Sequence, residues 1–433
     1  MLIFAKILHP MNKLIYIIIL FVLSNNSFAS FDHFFIDKTM RIDYMHAGNA
    51  HHEKYYLKKI KREPFWGGSI KNLIDTFKYG QYFFEVYDKN TSALIYSRGY
   101  SSLFGEWQAT EEAKTNDKSF YESIVFPYPK STVIIKWFSR DYNGKFNKMM
   151  ELEVNPSDYF IDPTLEKEFP IYTALYSGDS HQKVDIVIIP DGYSVDEMEL
   201  FKSDCDKFTQ ELFKYHPYSE YKESFNIVGV LAPSKDSGND IPADSIWKNT
   251  QVSTSFYTFN SERYCMTEDY KSVRDLAANT AYDQIYILVN NEKYGGGAIY
   301  NFYNVSVNSN AKAGQIFIHE LGHGFAGLAD EYYTSSTSYS DFYNLNLEPW
   351  EPNITTLVDF NKKWKHLITI NIPIPTPDTD EYTGLTGVFE GGGYVAKGVY
   401  RPRRDCLMNS FKNSEFCDAC KEAIIKAILF YSE

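Results

Sequence analysis

Cysteine is scarce in this chain, with five in 433 residues: Cys205, Cys265, Cys406, Cys417 and Cys420. A disulfide framework running through the whole fold is therefore not what its stability rests on. A surplus of positive charge is absent too. Lys and Arg number 43 against 56 Asp and Glu, a net charge of −13, which argues against a nucleic-acid partner because phosphate binding needs a basic face. Long apolar runs are missing, and the longest near the amino terminus, LIYIIILFVL from Leu14 to Leu23, is about ten residues, too short to cross a bilayer. Neither a GxSxG nucleophile elbow nor a phosphate-binding loop occurs.

What is present begins with that short run. Lys13 precedes it and Ser27-Phe28-Ala29 follows, the arrangement of an export signal over residues 1–29, with Met11 as an alternative start. No cysteine near the cleavage point could carry a lipid, so the expectation is an exported protein, periplasmic, cell-surface or extracellular, with no stable membrane insertion. Export makes disulfides possible, and Cys406 paired with Cys417 or Cys420 would pin the segment CLMNSFKNSEFCDAC; a zinc site built from cysteines alone lacks a fourth ligand nearby.

Aromatics are abundant, 35 Tyr and 32 Phe, and they cluster first in short strand-like runs. QYFFEVYD and SALIYSRGY flank a KNT turn as a hairpin, and STVIIKWFSRD is a further strand. These runs predict a β-sandwich over residues 31–160, ending where prolines and polar residues interrupt NPSDYFIDPTLEKEF. Beyond it the rhythm alternates. VDIVIIP, FNIVGVLA and YDQIYILVN read as buried strands, while a helix opened by Ser194 and another over residues 271–278 lie between them. Residues 161–433 thus predict an α/β domain with a mostly parallel sheet, and the chain as a whole is α+β. GGGAIYNFYNV, residues 295–305, suggests an edge strand whose glycines admit an extended peptide along residues 297–304.

The chemistry concentrates in IFIHELGHGFAGLADEYY, residues 316–333. Asn308, Ser309 or Asn310 can cap a helix here, with Ile316, Leu321 and Phe325 turned to the core. His319 and His323 are one turn apart and share a face, close enough to hold one metal ion, while Glu320 beside them suits proton transfer to and from water. Chance supplies roughly 0.01 to 0.02 such five-residue matches in a chain of this composition. Two ligands are too few for a catalytic zinc. On a straight helix Asp330 would lie about 10 Å beyond His323, but Gly327 can end the helix and bring Asp330 back as third ligand, with Glu331 as the alternative. His51 and His52 read as surface residues, and His216 and His366 as structural ones. Met408 can floor a metal site, and Tyr400, Arg401, Tyr332 and Tyr333 are candidates to stabilise an oxyanion.

With these residues in hand, the chain resembles the IgA-peptidase family of secreted bacterial zinc metallopeptidases, a metzincin-like group. HELGHGFAGLADEYY, VDIVIIPDGYS, SKDSGNDIP and GGGAIYNFY look like its catalytic landmarks, and TMRIDYMHAGNA and LIYSRGYSSLFGEWQAT like its amino-terminal β-domain. The resemblance implies one catalytic zinc held by His319, His323 and Asp330, Glu320 as general base, Met408 as the Met-turn residue, and a polypeptide or glycoprotein substrate. One departure is visible: the metzincin pattern has its glycine three and its third ligand six residues after the second histidine, whereas Gly327 and Asp330 lie four and seven after His323. The alternative function is an exported glycan- or protein-binding surface protein with a structural zinc site.

Overall fold

The computed structural model describes residues 30–333, 343–412 and 415–433. The expected export signal, residues 1–29, lies outside them. The protein is α+β.

The aromatic, alternating first third folds as seven antiparallel strands. These are β1 Phe35–Asn49, β2 His52–Glu63, β3 Tyr82–Asp88, β4 Leu94–Tyr100, β5 Lys118–Pro129, β6 Val133–Arg140 and β7 Phe146–Val154. They form two sheets, β2-β1-β5 and β4-β3-β6-β7. The QYFFEVYD–SALIYSRGY pair is the β3–β4 hairpin and STVIIKWFSRD is β6, each where its period-two pattern places it. Met40, Ile42 and Tyr44 of β1 pack with Tyr82, Phe84 and Val86 of β3 and Ile135 and Trp137 of β6 in one core shared by both sheets. Between β4 and β5 lies a short helix, Leu103–Gln108, capped by Ser102, which the strand-dominated pattern of this region did not disclose.

No helix or strand lies between Val154 and Ile171. A six-stranded sheet follows, built from β8 Ile171–Leu175, β9 Val184–Asp191, β10 Phe225–Val230, β11 Gln284–Val289, β12 Gly296–Ile299 and β13 Tyr303–Val307. Its order is β12-β13-β11-β9-β10-β8, with the four central strands parallel and both edges antiparallel. Every residue of β9 is buried, as a central parallel strand requires, and this is why residues 186–189, IVII, are an unbroken apolar run rather than an alternating one. Helices cover both faces. On one, α1 Met198–Leu212 presents Phe201 and Phe208 to Ile186, Ile188 and Tyr286. On the other, α2 Tyr270–Ala277 sets Val273 and Leu276 against Val187, Ile189 and Ile287. The capping box at Ser194 is formed, with Glu197 Oε2 accepting from Ser194 N at 2.7 Å.

The two halves are joined by buried contacts. Phe104 and Trp107 of the short helix enter the core around α2, and the fully buried Arg41 of β1 reaches Asp275 of α2 at 2.8 Å. Further along the chain come the helix α3 Ala313–Ala326, which carries His319 and His323, the hairpin β14 Phe389–Gly392 with β15 Val395–Arg401, and the carboxy-terminal helix α4 Asp418–Ser432. Helices α3 and α4 pack into the same core as α1.

Candidate metal centre

Helix α3 begins later than its polar leader suggested. Its amino-terminal cap is Lys312, with no side-chain cap. The Asn308 amide is taken up by Asp204 at 2.8 Å, and Asn310 instead turns the chain ahead of the helix, its Oδ1 accepting from Lys312 N at 3.0 Å. The carboxy-terminal end is where the glycine places it. Gly327 is left-handed at φ 65°, Gly327 N donates to His323 O at 3.0 Å and Leu328 N to Gly322 O at 3.2 Å, a closure no residue with a Cβ adopts without strain.

That turn sends the chain back across the helix and sets Asp330 against the two histidines. His319 Nε2 and His323 Nε2 are 3.1 Å apart, and Asp330 Oδ1 lies 3.1 Å from the first and 3.4 Å from the second. Each imidazole has its other nitrogen on a backbone carbonyl: His319 Nδ1 on Leu407 O at 3.1 Å and His323 Nδ1 on Leu328 O at 2.6 Å. A carbonyl only accepts, so both Nδ1 atoms carry the proton and the Nε2 lone pairs point at one another and at the carboxylate. Three acceptors facing each other in a site where His319 is 8 % and Asp330 6 % exposed repel unless a cation or an extra proton sits between them. The separations suit a tetrahedral ion, since two nitrogens about 2.0–2.1 Å from zinc stand roughly 3.4 Å apart. In the absence of an ion the proton goes to His323: burial works against its charge, but Asp330 overrides this and brings it up to about 9. Burial alone would raise Asp330, and the facing imidazoles instead hold it well below the usual carboxylate range.

Glu320, next to His319 on α3, projects toward the sheet edge, its Oε1 3.3 Å from where a Cβ on Gly296 would stand. Burial raises its carboxyl while His319 and His323 draw it down, and the net direction is upward. That moves it toward the range in which a carboxylate exchanges protons near neutral pH.

Residues 173–384 and 378–428 match the family described as IgA Peptidase M64, and residues 30–151 match the Peptidase M64 N-terminus. The chain belongs to the IgA peptidase M64 family. It is accordingly a peptidase, with polypeptide as substrate. A search of curated proteins gave no match.

The candidate centre draws on residues far from its motif. Tyr394, just before β15, donates its hydroxyl to Asp330 Oδ2, leaving Oδ1 turned to the histidines. Tyr332 stacks edge-on against Tyr394 at 5.3 Å, so of the four oxyanion candidates it stands nearest the centre through this contact. Arg401 does not serve there: its Nη1 donates to Glu390 O at 2.8 Å and Gly391 O at 2.7 Å, because it fastens the β14–β15 hairpin. Tyr333 lies under that guanidinium at 5.6 Å, and Tyr400 packs against the core. The M64 N-terminal region contributes Glu106, which accepts from the Tyr264 hydroxyl; burial pushes its carboxyl up to about 7, with the charges of His323, Glu320 and Asp330 also felt.

Three expectations need correction. Glu331 does not compete with Asp330: it turns the opposite way, its Oε1 3.2 Å from Cys420 Sγ and 3.1 Å from Asn353 Nδ2, because Glu331 N is tied to Met408 O at 2.8 Å. The five cysteines are all free thiols, so neither bridge from Cys406 forms. The expected edge strand is present as β12 at the end of the sheet, but the close approach its glycines permit is made by the chain's own residues: Gly296 N donates to Arg263 O at 3.1 Å, Cys265 N to Gly296 O at 3.2 Å, and a Cβ on Gly297 would meet Met266 and Tyr264, each at 2.5 Å. Met408 is fully buried in the core beside the turn that holds His319. His51 and His52 are exposed, and exposed His216 and His366 pair with Glu220 and Glu422 at 2.9 and 2.7 Å.

Proposed function

We propose that this M64 peptidase is an exported zinc-dependent endopeptidase in which His319, His323 and Asp330 hold the ion and Glu320 is the general base. The observation that carries the reading is the meeting of the two Nε2 atoms and Asp330 Oδ1 within 3.4 Å of one another, each ligand oriented through its far atom by a carbonyl or a phenol. Bound there, zinc would supply the Lewis acidity that polarises a scissile carbonyl and acidifies water. The residues do the rest. Glu320 accepts a proton from the attacking water and passes it to the departing amine, and its burial keeps that carboxylate basic enough to do so. Tyr332, beside Tyr394 at the same centre, is placed to donate toward negative charge developing on the carbonyl oxygen. The two-sheet unit of residues 31–160 we read as a β-sandwich that shapes the cleft from the side of Glu106, and residues 161–433 as the metzincin-like catalytic domain.

Glu320→Gln tests this directly. The variant is expected to keep its zinc and far-ultraviolet circular dichroism while cleaving a denatured protein substrate about 10²- to 10⁴-fold more slowly. Cleavage at the unmodified rate would remove Glu320 from the mechanism.

A further inference from the structure

We propose that Glu331, Cys406, Cys417 and Cys420 form a second zinc site, structural rather than catalytic, that fastens the carboxy-terminal helix to the floor of the active centre. The four ligand atoms lie within 4.8 Å of one another and all four residues are buried. Their separations are those of a shared tetrahedral ion. Two sulfurs about 2.3 Å from zinc stand roughly 3.8 Å apart, and a sulfur and a carboxylate oxygen roughly 3.5 Å. Cys406 Sγ and Cys420 Sγ are 3.9 Å apart, and Glu331 Oε1 is 3.6 Å from Cys417 Sγ and 3.2 Å from Cys420 Sγ.

The amino terminus of α4 opens onto this cluster. Cys417 is the amino-terminal cap of α4 and Cys420 lies in its first turn, where peptide N–H groups and the helix dipole stabilise negative charge. Cys417 N donates to Cys406 Sγ at 3.2 Å. A disulfide would serve this cluster less well. It would join two sulfurs and leave a third buried thiol facing a buried carboxylate whose Oε2 has no hydrogen-bond partner. The cluster requires no residue of the His319–His323–Asp330 set, so it goes beyond the peptidase reading and is independent of it.

What the site would do follows from where its ligands stand. Glu331 adjoins Asp330, Cys406 adjoins Leu407, whose carbonyl orients His319, and Glu331 N bonds Met408 O. One ion would therefore lock both the third ligand's backbone and the turn beneath the first ligand, tying them to α4.

The full chain, purified without reductant and dialysed against zinc, is expected to hold two zinc ions by elemental analysis. His319→Ala/His323→Ala should retain one, and Cys417→Ser/Cys420→Ser should lose one. Cobalt reconstitution provides a readout that does not depend on the cysteine variants folding: the unmodified chain and the double-histidine variant should both show intense near-ultraviolet thiolate-to-cobalt absorption. One zinc that disappears in the double-histidine variant, no such absorption, or an intact mass showing a bridge from Cys406 to Cys417 or Cys420, would each overturn the proposal while leaving the catalytic reading in place. One zinc that survives in the double-histidine variant would instead uphold this site and sink the catalytic one.

Discussion

Tyr394→Phe is the sharpest probe of how Asp330, the proposed third ligand, is held. In the native protein the Tyr394 hydroxyl donates to Asp330 Oδ2, with the Tyr332 phenol also beside that carboxylate, and Asp330 is 6 % exposed, so water does not readily replace the lost donor. A hydrogen bond to a charged group contributes about 1.5–3 kcal/mol, and leaving a buried carboxylate oxygen unsatisfied costs a similar amount. Part of that loss falls on the fold with or without metal, because Asp330 is ionised in both states. The remainder falls on binding, since a carboxylate free to rotate no longer presents Oδ1 to the two Nε2 atoms. Removing such an outer partner typically weakens metal binding about 10- to 100-fold. The assay is competition with a chelator of known zinc affinity, in the Cys417→Ser/Cys420→Ser background so that only the histidine site is read. The turnover number at saturating zinc should fall much less than the affinity. A zinc affinity within twofold of that of the Cys417→Ser/Cys420→Ser protein with Tyr394 intact would refute the argument that this phenol positions Asp330.

Other consequences can be checked alongside it. His323 of the metal-free protein carries a proton up to about 9, so zinc must displace it, and affinity at the histidine site should tighten about tenfold per pH unit from pH 7 until it levels near 9; an affinity already flat above pH 7 would contradict the His323–Asp330 coupling. The same shift has a stability sign: a raised histidine pKa stabilises the metal-free fold fully below its unfolded value of about 6.5, and the contribution is lost as pH rises through about 9, which urea titration of the metal-free protein at several pH values would follow. Gly327→Ala forces a Cβ into the left-handed turn at φ 65° and should cost about 1–2 kcal/mol of stability in chemical denaturation, with weaker zinc retention because Asp330 is displaced; native-like behaviour in both would mean the turn does not set the ligand.

The parts of the centre that were legible in the sequence are the local ones. His319 and His323 face the same way because a helix repeats every 3.6 residues, and Gly327 ends that helix because only glycine takes positive φ freely. Asp330 was reachable by the same local reasoning, although Glu331 could not be dismissed without knowing that its backbone is tied to Met408. The parallel sheet was legible for a related reason: strands buried on both faces, alternating with helices, have few other arrangements. The glycine run of residues 295–297 misled because a glycine records that something approaches closely, and says nothing of what; here it is Tyr264 and Met266.

The sequence by itself determined which local residues carry the proposed chemistry and where strands alternate with helices, since both are written in periodicities spanning fewer than about twenty residues. Tertiary structure alone decided which distant groups complete the centre. Tyr394 meets Asp330 across 64 positions, Cys417 and Cys420 meet Glu331 across 86 and 89, and Glu106 meets Tyr264 across 158. No local pattern marks such partners, because chain separation places no limit on proximity once burial has folded the elements onto a common core. The carboxylate that sequence alone could not separate from Asp330 thus turns away from the histidines and toward three thiols, a division made by the packing of α4 against the metal-centre turn.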